Sequence, residues 1–275
     1  MNIEKIAQII TDVAQEEILS RYQKLSEADI QVKKAGDLVT SADIETEKKL
    51  SARLKKLYPA AVLAGEESIA ENSGLLEEVI TADEAFLIDP VDGTNNFIKN
   101  NPRFAVMMVA LRKGIVVASW IYLPAFDKMA FSETGSGSVV NGKKISFKKA
   151  QVDCAEMIGA AHIKRMPEDL RQKARANLVN FKANKPAFCA GYDYVALLEG
   201  EKDFSAYYRT LPWDHLPGTH MCEQAGGFCR KLLSGETYGI KDQYEGLLSA
   251  ADEESWHRIR DALLGKDLSA KNPKG

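Results

Sequence analysis

Cysteine is scarce in this 275-residue chain: Cys154, Cys189, Cys222 and Cys229 are all there is, and no two form a CxxC pair. Their number and spacing argue against a disulfide framework and lack the ligand pattern of a zinc site; reduced, buried thiols in a cytoplasmic protein fit better. An excess of one charge is also missing, with 36 Lys and Arg against 39 Asp and Glu and a net charge of −3. That balance argues against a nucleic-acid partner, and no block of like charge marks a solvating tail. No apolar run approaches the ~20 residues of a membrane span. Glu4 and Lys5 interrupt the isoleucines of Met1–Thr11, unlike the apolar core of a signal peptide. There is no internal repeat and no low-complexity segment. What the chain does have is 45% hydrophobic content, ample for one large domain or two smaller ones.

The chain is organised around Phe86-Leu87-Ile88-Asp89-Pro90-Val91-Asp92-Gly93-Thr94-Asn95-Asn96-Phe97. The apolar run reads as the end of a buried strand. Pro90 is expected to end regular pairing and to hold Asp89 extended, and Gly93 permits a tight turn. Asp89 and Asp92 then project into one small volume. Two carboxylates held together repel unless something positive lies between them. Mg²⁺ suits such a place, because it takes a few carboxylates together with water and substrate phosphate oxygens. Backbone N–H groups after Gly93 could cradle an anion. The same residues also make an ordinary Asp/Pro/Gly turn, so the reading depends on what accompanies them.

Ile3, Ile6, Ile10 and Val13 recur at helical spacing and predict a first helix to about Tyr22. A polar turn at Lys33-Lys34-Ala35-Gly36-Asp37 precedes a second helix that ends before Pro59. Asp43 lies three residues after Thr40, which reads as a capping box or as a carboxylate aimed into the site; both can hold, since the helix dipole favours a carboxylate there. Ala61–Ala64 predicts a short strand running into Gly65-Glu66-Glu67-Ser68, a second strand end that delivers carboxylates, or else a surface turn. Residues 72–84 are polar, and either mobile or helical over Gly74–Ile80. Phe104–Leu111, Ile115–Leu123 and Lys128–Ser132 predict an antiparallel meander, with a further hairpin turn at Asn141-Gly142.

The pattern changes near Lys148-Lys149-Ala150, dividing the chain into halves at 1–149 and 150–265, with a tail over 266–275. The second half predicts a strand at Met157–Ala161, a helix at Pro167–Val179, a short helix stopped at Gly200, a strand at Asp203–Tyr208, and a last helix at Asp252–Leu264. Asp214, in Trp213-Asp214-His215-Leu216-Pro217-Gly218, starts another helix, where it reads as an ordinary N-cap when taken alone. His215 reads as core packing or a supporting hydrogen bond rather than a ligand.

Together, Gly65–Ser68, Asp89–Phe97 and Trp213–Gly218, in this order and at these separations, resemble the inositol monophosphatase family of lithium-sensitive, Mg²⁺-dependent phosphatases. Leu38-Val39-Thr40-Ser41-Ala42-Asp43 matches a further family element, and the resemblance runs from the first helix to Leu264. It implies an α+β, five-layer αβαβα sandwich with a mostly antiparallel N-terminal sheet and a mixed C-terminal sheet. It implies a homodimer in the cytoplasm and two or three Mg²⁺ ions, with Li⁺ as an inhibitor. Metal ligands would be Glu66, Asp89, Asp92 and Asp214 with the Val91 carbonyl. The implied catalytic residues are Thr94, paired with Asp43 to orient or deprotonate the attacking water, and Glu66. The substrate, a small phosphate monoester, would meet Asp92, Gly93, Thr94, Asn95 and Asp214, and in this chain Asp193 and Arg209.

Those last two residues are departures from the family pattern. Inositol phosphatases carry a glutamate shortly before the Trp-Asp motif, whereas here Tyr207–Pro212 is shortened and carries Arg209; Tyr192 and Asp193 stand where small residues usually follow Gly191. An arginine favours a second anionic group on the substrate, or it forms a structural salt bridge. Fructose 1,6-bisphosphate, histidinol phosphate and 3′-phosphoadenosine nucleotides are therefore alternatives to inositol phosphate. A regulatory protein of the same fold is another reading, and a Ca²⁺-binding loop is disfavoured because alternating ligand positions are missing. Arg209→Ala should lower activity on a doubly anionic substrate more than on inositol 1-phosphate; equal losses in steady-state kinetics would remove the anion-binding role.

Overall fold

The computed structural model describes residues 1–34, 37–147 and 151–266. The centre of the expected turn at Ala35-Gly36, the boundary at Lys148-Lys149-Ala150 and the tail from 267 onward lie outside the described residues. Asn2 starts the first helix, its side chain accepting the Lys5 N–H at 3.0 Å. This helix, α1 (Ile3–Ala14), buries Ile6, Ile10 and Val13. It stops short of the expected Tyr22, because a π-helical turn over Gln15–Leu19 replaces regular α geometry. The hairpin of β1 (Ile30–Lys34) and β2 (Asp37–Thr40) leads into α2 (Ser41–Leu57). The capping box is formed: Asp43 Oδ2 accepts from the Thr40 N–H at 2.8 Å and from its hydroxyl at 2.6 Å.

Next come β3 (Val62–Gly65), α3 (Glu66–Glu71), α4 (Gly74–Thr81), β4 (Ala85–Asp92) and α5 (Thr94–Ile98). The meander follows as β5 (Ala105–Arg112), β6 (Ile115–Leu123), β7 (Lys128–Glu133), β8 (Gly137–Val140) and β9 (Lys143–Ile145). All seven strands β3 to β9 form one sheet in chain order, antiparallel except for the β3–β4 pair. Pro90 does not end β4 as expected. The strand runs on to Asp92, and the missing proline N–H is absorbed by a register irregularity between Asp89 and Asp92 against β5. Asn141 and Gly142 both adopt positive φ, 44° and 76°, which is the geometry of the expected hairpin turn.

The second half contains β10 (Ile158–Ala161), α6 (Glu168–Asn177), β11 (Ala183–Asn184), α7 (Ala190–Leu198), β12 (Phe204–Tyr207), α8 (Pro212–Gln224), β13 (Phe228–Arg230), β14 (Leu247–Ala250) and α9 (Glu253–Leu264). Its five-stranded sheet has the order β11-β10-β12-β14-β13 and mixes parallel with antiparallel pairs. Strands β8, β9, β11, β13 and β14 were not expected from the sequence. They are two to four residues long, too short for a period-2 pattern to show.

Alternate residues of β5 face opposite ways. Val106 and Met108 join Ile10, Leu50, Phe86 and Trp120 under α1 and α2, while Ala105 and Met107 join Tyr194 and Met221 from α7 and α8. Tyr207 of β12 closes that second cluster from the far side. Beyond it, Phe204, Leu248, Trp256 and Ile259 pack α6 and α9 on the outer face of the smaller sheet. The layers thus run α1/α2, large sheet, α7/α8, small sheet, α6/α9, the αβαβα sandwich. Gly218 lets α8 lie against α7: a Cβ there would come 2.0 Å from the ring of fully buried Tyr194. Gly218→Ala should therefore destabilise the protein by about 1–3 kcal/mol in denaturant titration despite the better helix propensity of alanine. A neutral or stabilising result would mean the α7–α8 contact is looser than the structure has it.

Candidate metal centre and active site

The parallel register of β3 and β4 sets Gly65 opposite Ile88, so both strands end at the same level. Glu66 opens α3 directly after β3, and Asp89 follows Ile88. Asp214 arrives from the middle layer, as the third residue of α8. It is not an N-cap, the reading it invites when taken alone: that position is Leu211, because Pro212 takes the first helical place. Carboxylate oxygens of Glu66, Asp89 and Asp214 lie within 4.8 Å of one another. Burial, and then the charges of Glu66, Asp214 and Asp92, push the Asp89 carboxyl well above the ordinary carboxylate range. Three hard oxygen donors so placed fit a hard divalent cation, which would relieve their repulsion.

Asp92 takes a different partner set. Its Oδ2 accepts the Cys189 thiol at 3.0 Å and the Gly191 N–H at 2.6 Å, tying the end of β4 to the start of α7. Burial raises its pKa, and these two donors work against that. Gly93 follows with φ +83°, and a Cβ there would stand 3.0 Å from both the Arg103 carbonyl oxygen and Cys189 Cβ, so position and conformation both demand glycine. Thr94 is the next residue. Its hydroxyl lies 2.9 Å from the Val91 carbonyl oxygen and 3.2 Å from Asp43 Oδ1. Asp43 therefore caps α2 with one oxygen and faces the Thr94 hydroxyl with the other.

A cavity of about 530 Å³ opens over these groups, with Glu66, Asp89, Asp92, Gly93, Thr94, Asn95 and Asp214 in its wall. Arg209, Lys164 and Arg165 line it too, and they also line an adjoining cavity of about 670 Å³ that reaches His162, Tyr207 and Arg175. The largest cavity found, about 870 Å³, lies between β9 and α7 and touches none of these carboxylates. Arg209 thus lines both cavities. Asp193 does not: its carboxylate is fully buried and belongs to neither cavity wall. It pairs with Lys202, accepts the Ala187 N–H at 3.1 Å, and meets His162 Nε2 at 2.7 Å. The expectation of direct substrate contact by Asp193 is corrected accordingly. His215 is a core residue beside Tyr194, and burial lowers its pKa to about 3.

Several supporting residues carry no signal in the sequence. Glu47, in the middle of α2, accepts the Glu67 and Ser68 N–H groups at 2.8 and 3.0 Å and so caps α3 beneath Glu66. Asn96 donates to the carbonyls of Arg103 and Ala187 at 2.7 and 2.9 Å, fixing the turn that delivers Cys189. Each acts over a sequence separation that no local pattern records. All four cysteines are free, and no helix among the described residues is long and apolar enough to cross a membrane.

Residues 2–261 match the model of the inositol monophosphatase family. A protein of Aquifex aeolicus named fructose-1,6-bisphosphatase/inositol-1-monophosphatase is 28% identical over 250 residues, 88% of this chain and 89% of its own. A protein of Escherichia coli K12 named Nus factor SuhB is 27% identical over 228 residues, 80% of this chain and 82% of its own. Among solved structures, an IMPase of Thermotoga maritima superposes with a TM-score of 0.80 at 20% identity, over 96% of each chain, a likeness of fold.

The raised Asp89 pKa has a consequence for stability. A carboxyl whose folded pKa exceeds its unfolded value stabilises the fold at low pH and loses that contribution as pH rises through the folded value. Under chelator, the melting temperature should fall as pH goes from about 5 to about 8. Asp89→Asn should flatten that fall, and Mg²⁺ should raise the melting temperature of the wild type at the upper pH but not of the variant. An unchanged slope in Asp89→Asn would mean that the cluster is not the source.

Proposed function

The chain belongs to the inositol monophosphatase family, and from that premise we propose that it is a Mg²⁺-dependent phosphomonoesterase acting on inositol monophosphate or a related sugar or polyol phosphate. The observation that carries this reading is the convergence of Glu66, Asp89 and Asp214 within 4.8 Å, beside the Thr94–Asp43 pair. Glu66, Asp89, Asp92, Asp214 and the Val91 carbonyl would hold two or three Mg²⁺. When bound, the cations supply positive charge against the phosphoryl oxygens and the leaving oxygen, where most of the barrier to monoester hydrolysis lies.

The remaining steps belong to the protein. Thr94 offers its hydroxyl hydrogen to Asp43, which leaves the hydroxyl oxygen free to accept a hydrogen from the attacking water and to aim it at phosphorus. Backbone N–H groups of Gly93 and Thr94 would receive the phosphate, with Asn95 beside them. Arg209, Lys164 and Arg165 face the leaving-group side and form no ion pair among the described residues, which supports a leaving group with a further anionic charge. That is the ground for keeping fructose 1,6-bisphosphate, histidinol phosphate and 3′-phosphoadenosine 5′-phosphate beside inositol phosphate. Lithium inhibition, a homodimer and a cytoplasmic location are parts of the same reading.

A second reading, a regulatory protein of this fold, is favoured by the relative named Nus factor SuhB. One experiment separates the two: phosphate release from those four esters, with and without Mg²⁺, and in Asp92→Asn. Mg²⁺-dependent release lost in the variant is the expected result. No release from any ester by folded, Mg²⁺-supplied protein would favour the regulatory reading.

A further inference from the structure

In the cavity beside the carboxylate cluster, one side chain is held in place through one ring nitrogen while the other is left without a partner among the described residues. His162 lies just past the end of β10 and lines the 670 Å³ cavity together with Asp92 and Asp214. Its Nε2 is 2.7 Å from Oδ2 of the fully buried Asp193. Lys202, itself 8% exposed, pairs with the other oxygen of Asp193, which also accepts the Ala187 N–H at 3.1 Å. The imidazole is stacked on Tyr207 with centroids 4.6 Å apart and planes at 17°, and the Phe188 ring meets it edge-on at 5.7 Å. Among the described residues, Nδ1 has no partner.

We propose that His162 is a specificity-determining residue whose Nδ1 accepts a hydrogen bond from a hydroxyl of the leaving group, with Asp193 and Lys202 as positioning residues behind it. The tautomer follows from the partners. A carboxylate accepts and does not donate, so Nε2 carries the ring hydrogen, and in the neutral ring Nδ1 keeps its lone pair. Stacking, the edge contact and the Asp193 bond fix the ring plane, so little freedom is lost on binding. Of the cavity's other polar groups, Lys164, Arg165, Arg175 and Arg209 only donate, Glu168 is paired with Arg171, Asn184 is bonded to the Ala161 backbone, His215 is paired with Tyr194, and Asp92 and Asp214 are assigned to the metal centre. His162 therefore offers a fixed acceptor among the cations of the wall. The ligand class that fits is a phosphorylated polyol or sugar with a free hydroxyl next to a further anionic group. This inference rests on the phosphatase reading for its substrate, and on the Asp193–His162 geometry for its mechanism.

The test pairs kinetics with a spectroscopic readout. His162→Ala should raise KM for the best polyol phosphate of the panel about five- to tenfold, the worth of one hydrogen bond, and leave 4-nitrophenyl phosphate unchanged, since that leaving group has no hydroxyl to offer. His162→Asn, whose amide oxygen can stand near the Nδ1 position, should recover part of the loss. Equal effects on both esters, or none on either, would overturn the proposal. So would turnover confined to esters whose leaving groups lack hydroxyls. Independently of activity, ¹⁵N NMR at pH about 8 should show the His162 ring hydrogen on Nε2, and Nδ1 should shift when inositol 1-phosphate or fructose 1,6-bisphosphate is added. A hydrogen on Nδ1, or no shift with either ester, overturns the proposal even if the protein releases no phosphate; absence of release alone defeats only the phosphatase reading. Asp193→Asn should move the hydrogen to Nδ1, and pairing it with Lys202→Met avoids leaving an uncompensated buried ammonium.

Discussion

Like charges held close are the condition on which the rest of this molecule turns. Glu66, Asp89 and Asp214 approach within 4.8 Å, in a place where burial already disfavours ionised carboxyls. Folding alone gains nothing from such a cluster; it raises the energy of the metal-free protein. It persists because each carboxylate is tied to a rigid element whose own packing is satisfied elsewhere. Asp89 sits on an interior strand, next to the edge strand and buried on both faces, Glu66 at a strand-to-helix junction capped by Glu47, and Asp214 in a helix pressed between two sheets. This is the pattern of a site prepared for a cation rather than for stability.

The parallel β3–β4 pair is the one exception in an otherwise antiparallel sheet, and it is where two strands end side by side. Antiparallel neighbours would have delivered their carboxylates to opposite edges. The irregularity after Asp89 then turns the chain so that Asp92 meets the start of α7 through Oδ2, while its charge still acts on Asp89 and it shares the cavity wall with the other three. Cys189 and Gly191 hold it there. The carboxylate cluster and the adjoining cavity are thereby built by different layers: the large sheet supplies most of the carboxylates, and the second half supplies Arg209, His162 and the other cations of the wall.

The fold was legible wherever a periodic pattern ran long enough. The first two helices, the strands from Phe104 to Leu123 and the last helix follow directly from apolar spacing and caps. Short strands such as Phe228–Arg230 and Leu247–Ala250 were missed, since three or four residues carry no period of their own and take their conformation from the strand beside them. Pro90 misled in the other direction: a proline reads locally as a strand end, but pairing resumed two residues later because the partner strand tolerates an irregularity.

The sequence by itself determined the family, through three motifs that can be read in order along the chain, and with that resemblance the layered α+β architecture and the carboxylates expected to serve a metal. Tertiary structure alone decided which groups actually face one another. It turned Asp193 inward onto Lys202 and His162, placed Asp92 in the grip of Cys189 and Gly191, and gave Asp43 two tasks at once. The pairings of Asp193 with His162, Asp92 with Cys189 and Gly191, and Asp43 with Thr94 join residues 31 to 99 positions apart along the chain. Their partners are set by how helices and sheets stack, and no spacing along one stretch of chain records that distance.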